Sequence, residues 1–81
     1  MRIKVKLFAI LRDRAGTSDL SLDLPPGSVT SVALESIALQ HPGIRALLPR
    51  AAVAINREYA SRDTTLNDGD ELALIPPVSG G

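Results

Sequence analysis

Few residues of this 81-residue chain place reactive groups at a spacing that chemistry can use. The exception is the end of the sequence, Val78-Ser79-Gly80-Gly81, where the group on offer is the free carboxylate of Gly81. Gly80 and Gly81 have no Cβ, so the last peptide units are slim and reach backbone angles closed to other residues. Such a tail can pass through a narrow channel and present its carboxylate to the active site of another protein. The alternative is a frayed end, which is how most chain termini behave. On the residues alone both readings stand.

The remaining candidates have structural explanations. His41 is the only histidine and falls at the end of a helical stretch before Pro42, where an imidazole meets the free carbonyls and the helix dipole. A general base needs a partner in a pocket, and none is evident around it. Asp68, Asp70 and Glu71 are spaced like the start of a calcium loop but lack its remaining ligand positions, so they read as turn residues. The glycines form no phosphate-binding loop before a helix. The chain has no cysteine, hence no disulfide, no thiolate nucleophile and no cysteine metal site. No self-sufficient active site and no metal or bound cofactor is expected.

Composition narrows the class. The length suits one small domain, and an apolar fraction of 44% is ample for a core. Nine lysines and arginines balance nine aspartates and glutamates, so there is no basic footprint for nucleic acid or an anionic membrane. The run Leu7-Phe8-Ala9-Ile10-Leu11 stops at Arg12-Asp13-Arg14, too short for a signal peptide or a membrane span. A cytoplasmic protein that works docked to another is the expectation.

These residues must be positioned by a short series of elements. Arg2 to Leu7 alternates charged and apolar, which predicts a strand burying Ile3, Val5 and Leu7. Phe8 follows on the lysine face. Residues 9–15 predict two helical turns with Ile10 and Leu11 inward and Gly16 as the stop. Leu20, Leu22 and Leu24 alternate with Ser21 and Asp23 in a second strand, antiparallel to the first and ended by Pro25-Pro26-Gly27. Leu34, Ile37, Ala38 and His41 form one stripe of the main helix, residues 31–40, with Thr30 or Ser31 as N-cap and Pro42-Gly43 closing it. Ile44 to Leu48 predicts one more turn of helix. Residues 52–55 form a short apolar strand turning through Asn56-Arg57 into Glu58-Tyr59. A polar loop anchored by Leu66 then runs into the turn Asn67-Asp68-Gly69-Asp70 and the last strand, Glu71 to Ile75.

The only long helix lies in the crossover between early and late strands, so the first and last strands can pair in parallel at the sheet centre. One helix then covers the apolar face. The expected fold is α+β: a β-grasp, or ubiquitin-like, roll with a mixed sheet of four to five strands covered by one main helix. Residues 1–77 make the domain and residues 78–81 a flexible tail. Phe8 and Tyr59, the only two aromatics, fall on the uncovered side or an edge. They read either as a contact patch rimmed by Arg12 or as ordinary packing.

Three segments resemble the small, sulfur-carrying subunits of molybdopterin synthase. They are Val5-Lys6-Leu7-Phe8-Ala9 with Leu11-Arg12 and Ala15-Gly16; Val53-Ala54-Ile55-Asn56 with Glu58-Tyr59; and Leu66-Asn67-Asp68-Gly69-Asp70-Glu71. The ending Ile75-Pro76-Pro77-Val78-Ser79-Gly80-Gly81 is the most diagnostic, and the resemblance runs from end to end. It implies that an activating enzyme uses ATP to adenylate Gly81, and that a separate sulfur donor protein converts the adenylate to a thiocarboxylate. It further implies that the tail enters the large synthase subunit, in a heterotetramer of two copies of each. There, two transfers onto cyclic pyranopterin monophosphate make molybdopterin, the dithiolene of the molybdenum cofactor. Gly80 keeps the approach slim, while Pro76, Pro77, Val78 and Ser79 form the threaded stem. Phe8, Arg12, Tyr59 and Ile75 match positions facing the large subunit or the activating enzyme. On this reading the chain is not catalytic by itself.

Elementary chemistry agrees with the resemblance. A carboxylate acylates poorly because hydroxide leaves badly, and adenylation supplies a good leaving group. A thioacid is ionised near neutrality and is a good nucleophile. Four extended residues reach about 13–14 Å, enough to enter a buried pocket while the domain stays outside, and Pro76-Pro77 reduces the freedom lost on entry. Two departures bear on partner choice: Ser31-Val32-Ala33-Leu34-Glu35 lacks an early acidic residue of the family's helix, and Ile75 stands where some members have an aromatic. The alternatives are a sulfur carrier for thiamin thiazole synthesis and a ubiquitin-like modifier joined through Gly81 to lysines of other proteins.

Overall fold

The computed structural model describes residues 1–77. Five strands form one mixed sheet around which everything else is arranged. They are β1 (Arg2–Leu7), β2 (Asp19–Asp23), β3 (Ala52–Ile55), β4 (Glu58–Tyr59) and β5 (Glu71–Ile75), in the spatial order β2-β1-β5-β3-β4. β1 pairs with β2 antiparallel and with β5 parallel, and β3 is antiparallel to both β5 and β4. The first and last strands are therefore neighbours at the centre, as the long crossover predicts.

Three helical segments lie between the strands: α1 (Ala9–Ala15), α2 (Thr30–Gln40) and a 3-10 segment, Pro42–Arg50. Ile3, Val5 and Leu7 of β1 and Leu72 and Leu74 of β5 are buried together with Ala33, Leu34 and Ile37 of α2. Leu11, Ile44, Leu48 and Leu66 close the core around its rim. Full burial of each such aliphatic side chain contributes roughly 1.5–3 kcal/mol. α2 is thus held chiefly by its apolar face. α1 ends as its sequence predicts: Gly16 has a φ of 79°, and its N–H donates to the Arg12 carbonyl at 2.9 Å.

Several local expectations are corrected. Ile10 is 42% exposed, because α1 turns its Leu11 face to the core, with Ala15 packed beside it, and Ile10 lies off that face. The N-cap of α2 is Val29, with no side-chain cap; Thr30 lies inside the helix and is fully buried. Its N–H and Oγ1 both donate to the Thr64 carbonyl, at 2.9 and 3.1 Å, tying α2 to the loop before β5. Pro42-Gly43 ends α2, but the chain runs on at once into the 3-10 segment, with Pro42 in its first turn. That segment is longer than the single turn expected, and a guanidinium secures its far end. Arg62 Nη2 donates to the carbonyls of Leu48 and Ala51 at 2.8 and 3.1 Å.

The turn before β5 holds the start of the central strand pair. Asp70 is buried; its Oδ2 accepts from the Asn67 N–H at 2.8 Å and its Oδ1 from Asn56 Nδ2 at 2.9 Å. Asn56 Oδ1 in turn accepts from the Glu71 N–H at 3.0 Å. Gly69, at a φ of 85°, donates its N–H to the Arg2 carbonyl at 2.8 Å, and Lys4 N–H donates to the Asp70 carbonyl at 3.0 Å. One cluster thus fixes β1, β5 and the β3–β4 turn relative to one another. Removing a buried acceptor leaves its donors unpaired, at a cost of about 1–3 kcal/mol. Asp70→Ala is expected to lower stability by about that much, and Asn56→Ala, at an exposed residue, by about 0.5–1.5 kcal/mol, each read as a drop in the midpoint of chemical denaturation. A midpoint unchanged in both variants would show that the cluster does not hold the sheet.

Candidate functional site: the open face of the sheet

Side chains alternate across a strand, so register decides which residues share the uncovered face. Leu7 and Leu74 are opposite one another and buried, which puts Phe8 and Ile75 side by side on the open face at one end of the central pair. Next along that face lie Lys6 and Ala73, then Lys4 and Glu71. Across β3, Ala52 is opposite Ile75 and Ala54 opposite Ala73, and Tyr59 of β4 is opposite Ala54. The outcome is a floor of small residues flanked by Phe8 and Ile75 on one side and Tyr59 on the other. Phe8 is 46% exposed and Tyr59 79%. This makes the open face the candidate contact surface.

The backbone around Phe8 is specialised. Phe8 is the N-cap of α1 in an extended conformation, and its carbonyl accepts from the Leu11 N–H at 3.1 Å. Ala9 has a φ of 50°, a left-handed conformation that is costly for a residue with a Cβ. The chain therefore turns sharply after β1 and leaves Phe8 on the face rather than under the helix. Arg12 lies one turn further on, with Nε 3.6 Å from the Asp13 carboxylate.

Charges frame the face on its β2 side. Arg2 Nε is 3.1 Å from Asp23, and Lys6 is ion-paired with Asp19. Hydrogen bonds from these cations, first among the causes, hold both carboxylates below their ordinary range. The stability so gained is present above the unfolded carboxylate range and is lost as pH falls through the lower folded values. All four groups are exposed, so water and salt screen the effect.

A shallow depression of about 370 Å³ on this face is lined by Lys6, Phe8, Arg57, Glu71 and Ala73. A second hollow, about 580 Å³, lies between β4 and the loop before β5. Its buried carboxylate, Asp70, already accepts a hydrogen bond at each oxygen. Among the described residues, no group of three His, Cys, Asp or Glu side chains is placed to hold a metal ion. No helix among them is long and apolar enough to cross a membrane. His41 caps α2 and is half-buried, with its N–H donating to the Ile37 carbonyl at 2.8 Å.

Of the residues singled out from sequence, Phe8, Tyr59 and Ile75 come together on one face, and Arg12 stands on the adjoining helix. Pro76 is half-buried and Pro77 exposed as the chain leaves β5 beside Phe8. Val78, Ser79, Gly80 and Gly81 lie outside the described residues. Ala52, Ala73 and Arg57 were not anticipated from sequence. The first two are visible in retrospect as small residues in phase with Ile75 on β3 and β5.

A mixed sheet with a central parallel pair, wrapped around one main helix, defines a ubiquitin-like β-grasp protein. The chain belongs to the ThiS family, whose profile matches residues 5–81. It is 40% identical over 81 residues to the molybdopterin synthase sulfur carrier subunit of Arabidopsis thaliana, spanning 100% of this chain and 84% of that one. Its fold is similar to the crystal structure of SAMP1 from Haloferax volcanii, with a TM-score of 0.93, 31% identity and full coverage of both chains. It is also similar to a chain in the complex of subunits 1 and 2 of molybdopterin-converting factor from Helicobacter pylori, with a TM-score of 0.69, 26% identity and full coverage of both.

Tyr59→Asp is expected to change stability by no more than about 0.5 kcal/mol, the usual range for surface substitutions, and Phe8→Ala, at a half-covered ring, to lower it by about 1–2 kcal/mol while the domain stays folded. Each is expected to weaken binding to a large molybdopterin synthase subunit, measured by calorimetric titration. Unchanged affinity in both variants would show that the contact surface lies elsewhere.

Proposed function

We propose that this chain is the sulfur carrier of a molybdopterin synthase and that its working group is the C-terminal carboxylate of Gly81. The observation that carries the reading is the full-length similarity to a sulfur carrier subunit of that enzyme. The geometry of the open face supports it, because β5 ends at Ile75 beside Phe8 and the tail departs from the edge of the contact patch. A partner seated on the patch is then within reach of a four-residue tail, about 13–14 Å when extended.

The chemistry follows from the carboxylate. Its oxygen attacks the α-phosphorus of ATP on an activating enzyme, forming an acyl-adenylate and releasing pyrophosphate. A sulfur nucleophile from a donor protein adds to the acyl carbon and expels AMP. With a protein persulfide as that nucleophile the product is an acyl disulfide, and a thiol cleaves its S–S bond, which releases the Gly81 thiocarboxylate and leaves a disulfide. Inside the large subunit the thiocarboxylate sulfur displaces an oxygen substituent from a carbon of cyclic pyranopterin monophosphate to give a thioester, and water cleaves the acyl C–S bond, which leaves the sulfur on the pterin and returns the carboxylate. Two carriers supply the two sulfurs of molybdopterin, in an assembly of two small and two large subunits. The chain itself provides the docking face, the stem Pro76 to Ser79 and the acyl group. ATP is consumed by the activating enzyme, and the compartment is the cytoplasm.

A second reading, a ubiquitin-like modifier, is favoured by the close fit to the Haloferax volcanii protein. In that case the acyl-adenylate is captured by a lysine amine and the product is an isopeptide. Intact-mass measurement separates the two. After incubation with the activating enzyme, ATP and a sulfur donor, the expected product differs by one oxygen replaced by sulfur, and removal of Gly81 abolishes the change. An unchanged mass under conditions that charge a control carrier would overturn the sulfur-carrier reading. Recovery of the chain mainly as conjugates would favour the modifier.

A further inference from the structure

The open face carries a charge that neither the fold nor the tail chemistry employs. Arg2 pairs with Asp23 and Lys6 with Asp19, while Lys4 stands in register beside Glu71. Arg57 is exposed and makes no ion pair among the described residues. It lines the depression next to Phe8 and Ala73. Glu71 lines it too, and it makes no ion pair with Arg57 or with the lysines of β1 among the described residues. With Lys6 held by Asp19, Arg57 is, among these residues, the unpaired cation of this depression, which runs from the β3–β4 turn toward Phe8.

The backbone at this position is a second, independent observation. Asn56 and Arg57 are the two central residues of the β3–β4 hairpin, with φ of 51° and 71°. A two-residue turn with both φ positive takes Asn comfortably at the first place and prefers glycine at the second. Arginine there holds a conformation that few side chains adopt. Strain of this kind is characteristic of positions whose side chain is used.

We infer that Arg57 is the electrostatic anchor of the open face and receives a carboxylate side chain from the partner that covers Phe8 and Ile75. Under the sulfur-carrier reading, on which the partner's identity rests, that partner is the large synthase subunit. The planar guanidinium grips a carboxylate with two parallel hydrogen bonds. Phe8 and Ala73 beside it exclude water once the face is covered, which strengthens the pair relative to one in solvent. The patch supplies contact area and Arg57 sets orientation and encounter rate.

The test is titration of the full chain with the large molybdopterin synthase subunit of the same organism, at low and moderate salt. Phe8→Ala serves as the control on docking. Arg57→Gln is expected to weaken binding by about 3–10-fold and Arg57→Glu by more than about tenfold, each with a flatter salt dependence. Arg57→Gly relaxes the turn while removing the charge, so it is expected to match Arg57→Gln in affinity and exceed it in stability. Wild-type or tighter binding by Arg57→Glu, with Phe8→Ala still weakened, would overturn the anchor and leave the sulfur-carrier reading intact. Recovery of wild-type affinity in Arg57→Gly alone would also overturn it, assigning the effect to the backbone. Failure of the unaltered chain to bind would remove the sulfur-carrier reading itself, and the anchor with it.

Discussion

The structure depends on the parallel pairing of its first and last strands. A parallel pair cannot be joined by a tight turn, so the chain must spend its middle on a crossover, and here that crossover contains the helix that covers the sheet. Parallel pairing also makes β1 and β5 end at the same edge. Phe8, the residue after β1, and Ile75, the last of β5, are consequently neighbours. An antiparallel arrangement would send the tail from the opposite end, away from the aromatic ring. The juxtaposition of tail exit and contact patch is thus a consequence of topology rather than of any particular side chain.

That topology needs a lock at its other end, where β1 and β5 begin. Asp70 and Asn56 provide it, engaging each other and the backbone of Asn67 and Glu71 in a cluster centred on the buried Asp70 carboxylate. The small residues of the open face, Ala52, Ala54 and Ala73, take no part in this lock. They leave the centre of the face low and flat, with Phe8 and Tyr59 raised at its sides. The covered face and the turn cluster hold the domain, and the open face is the surface proposed for association.

Much of this was legible in the sequence, for physical reasons. The alternation in Arg2 to Leu7 and the turn residues Asn67 to Asp70 define their elements without help from tertiary structure. The long helix placed between early and late strands dictates the parallel centre. What was not legible depended on tertiary partners. Thr30 resembles an N-cap because its hydroxyl can bond locally, yet the Thr64 carbonyl takes that hydroxyl instead. Ile10 looks inward by hydrophobicity, but the core side of α1 is taken by Leu11 and Ala15. The 3-10 segment is held by Arg62, fourteen residues beyond Leu48, a distance no local pattern reports. At the site, Phe8 and Tyr59 stood out as rare aromatics, whereas Arg57 is ordinary in sequence and distinctive only through its φ.

A single-turnover reconstitution tests the central claim most directly. The chain, prepared with either a thiocarboxylate or a carboxylate at Gly81, is mixed with the large synthase subunit and cyclic pyranopterin monophosphate, and dithiolene product is quantified. The expected result is molybdopterin from the thiocarboxylate form, with two carriers consumed for each product, and none from the carboxylate form. Equal yields from both forms, or no product from a thiocarboxylate carrier bound to the large subunit, would contradict the claim.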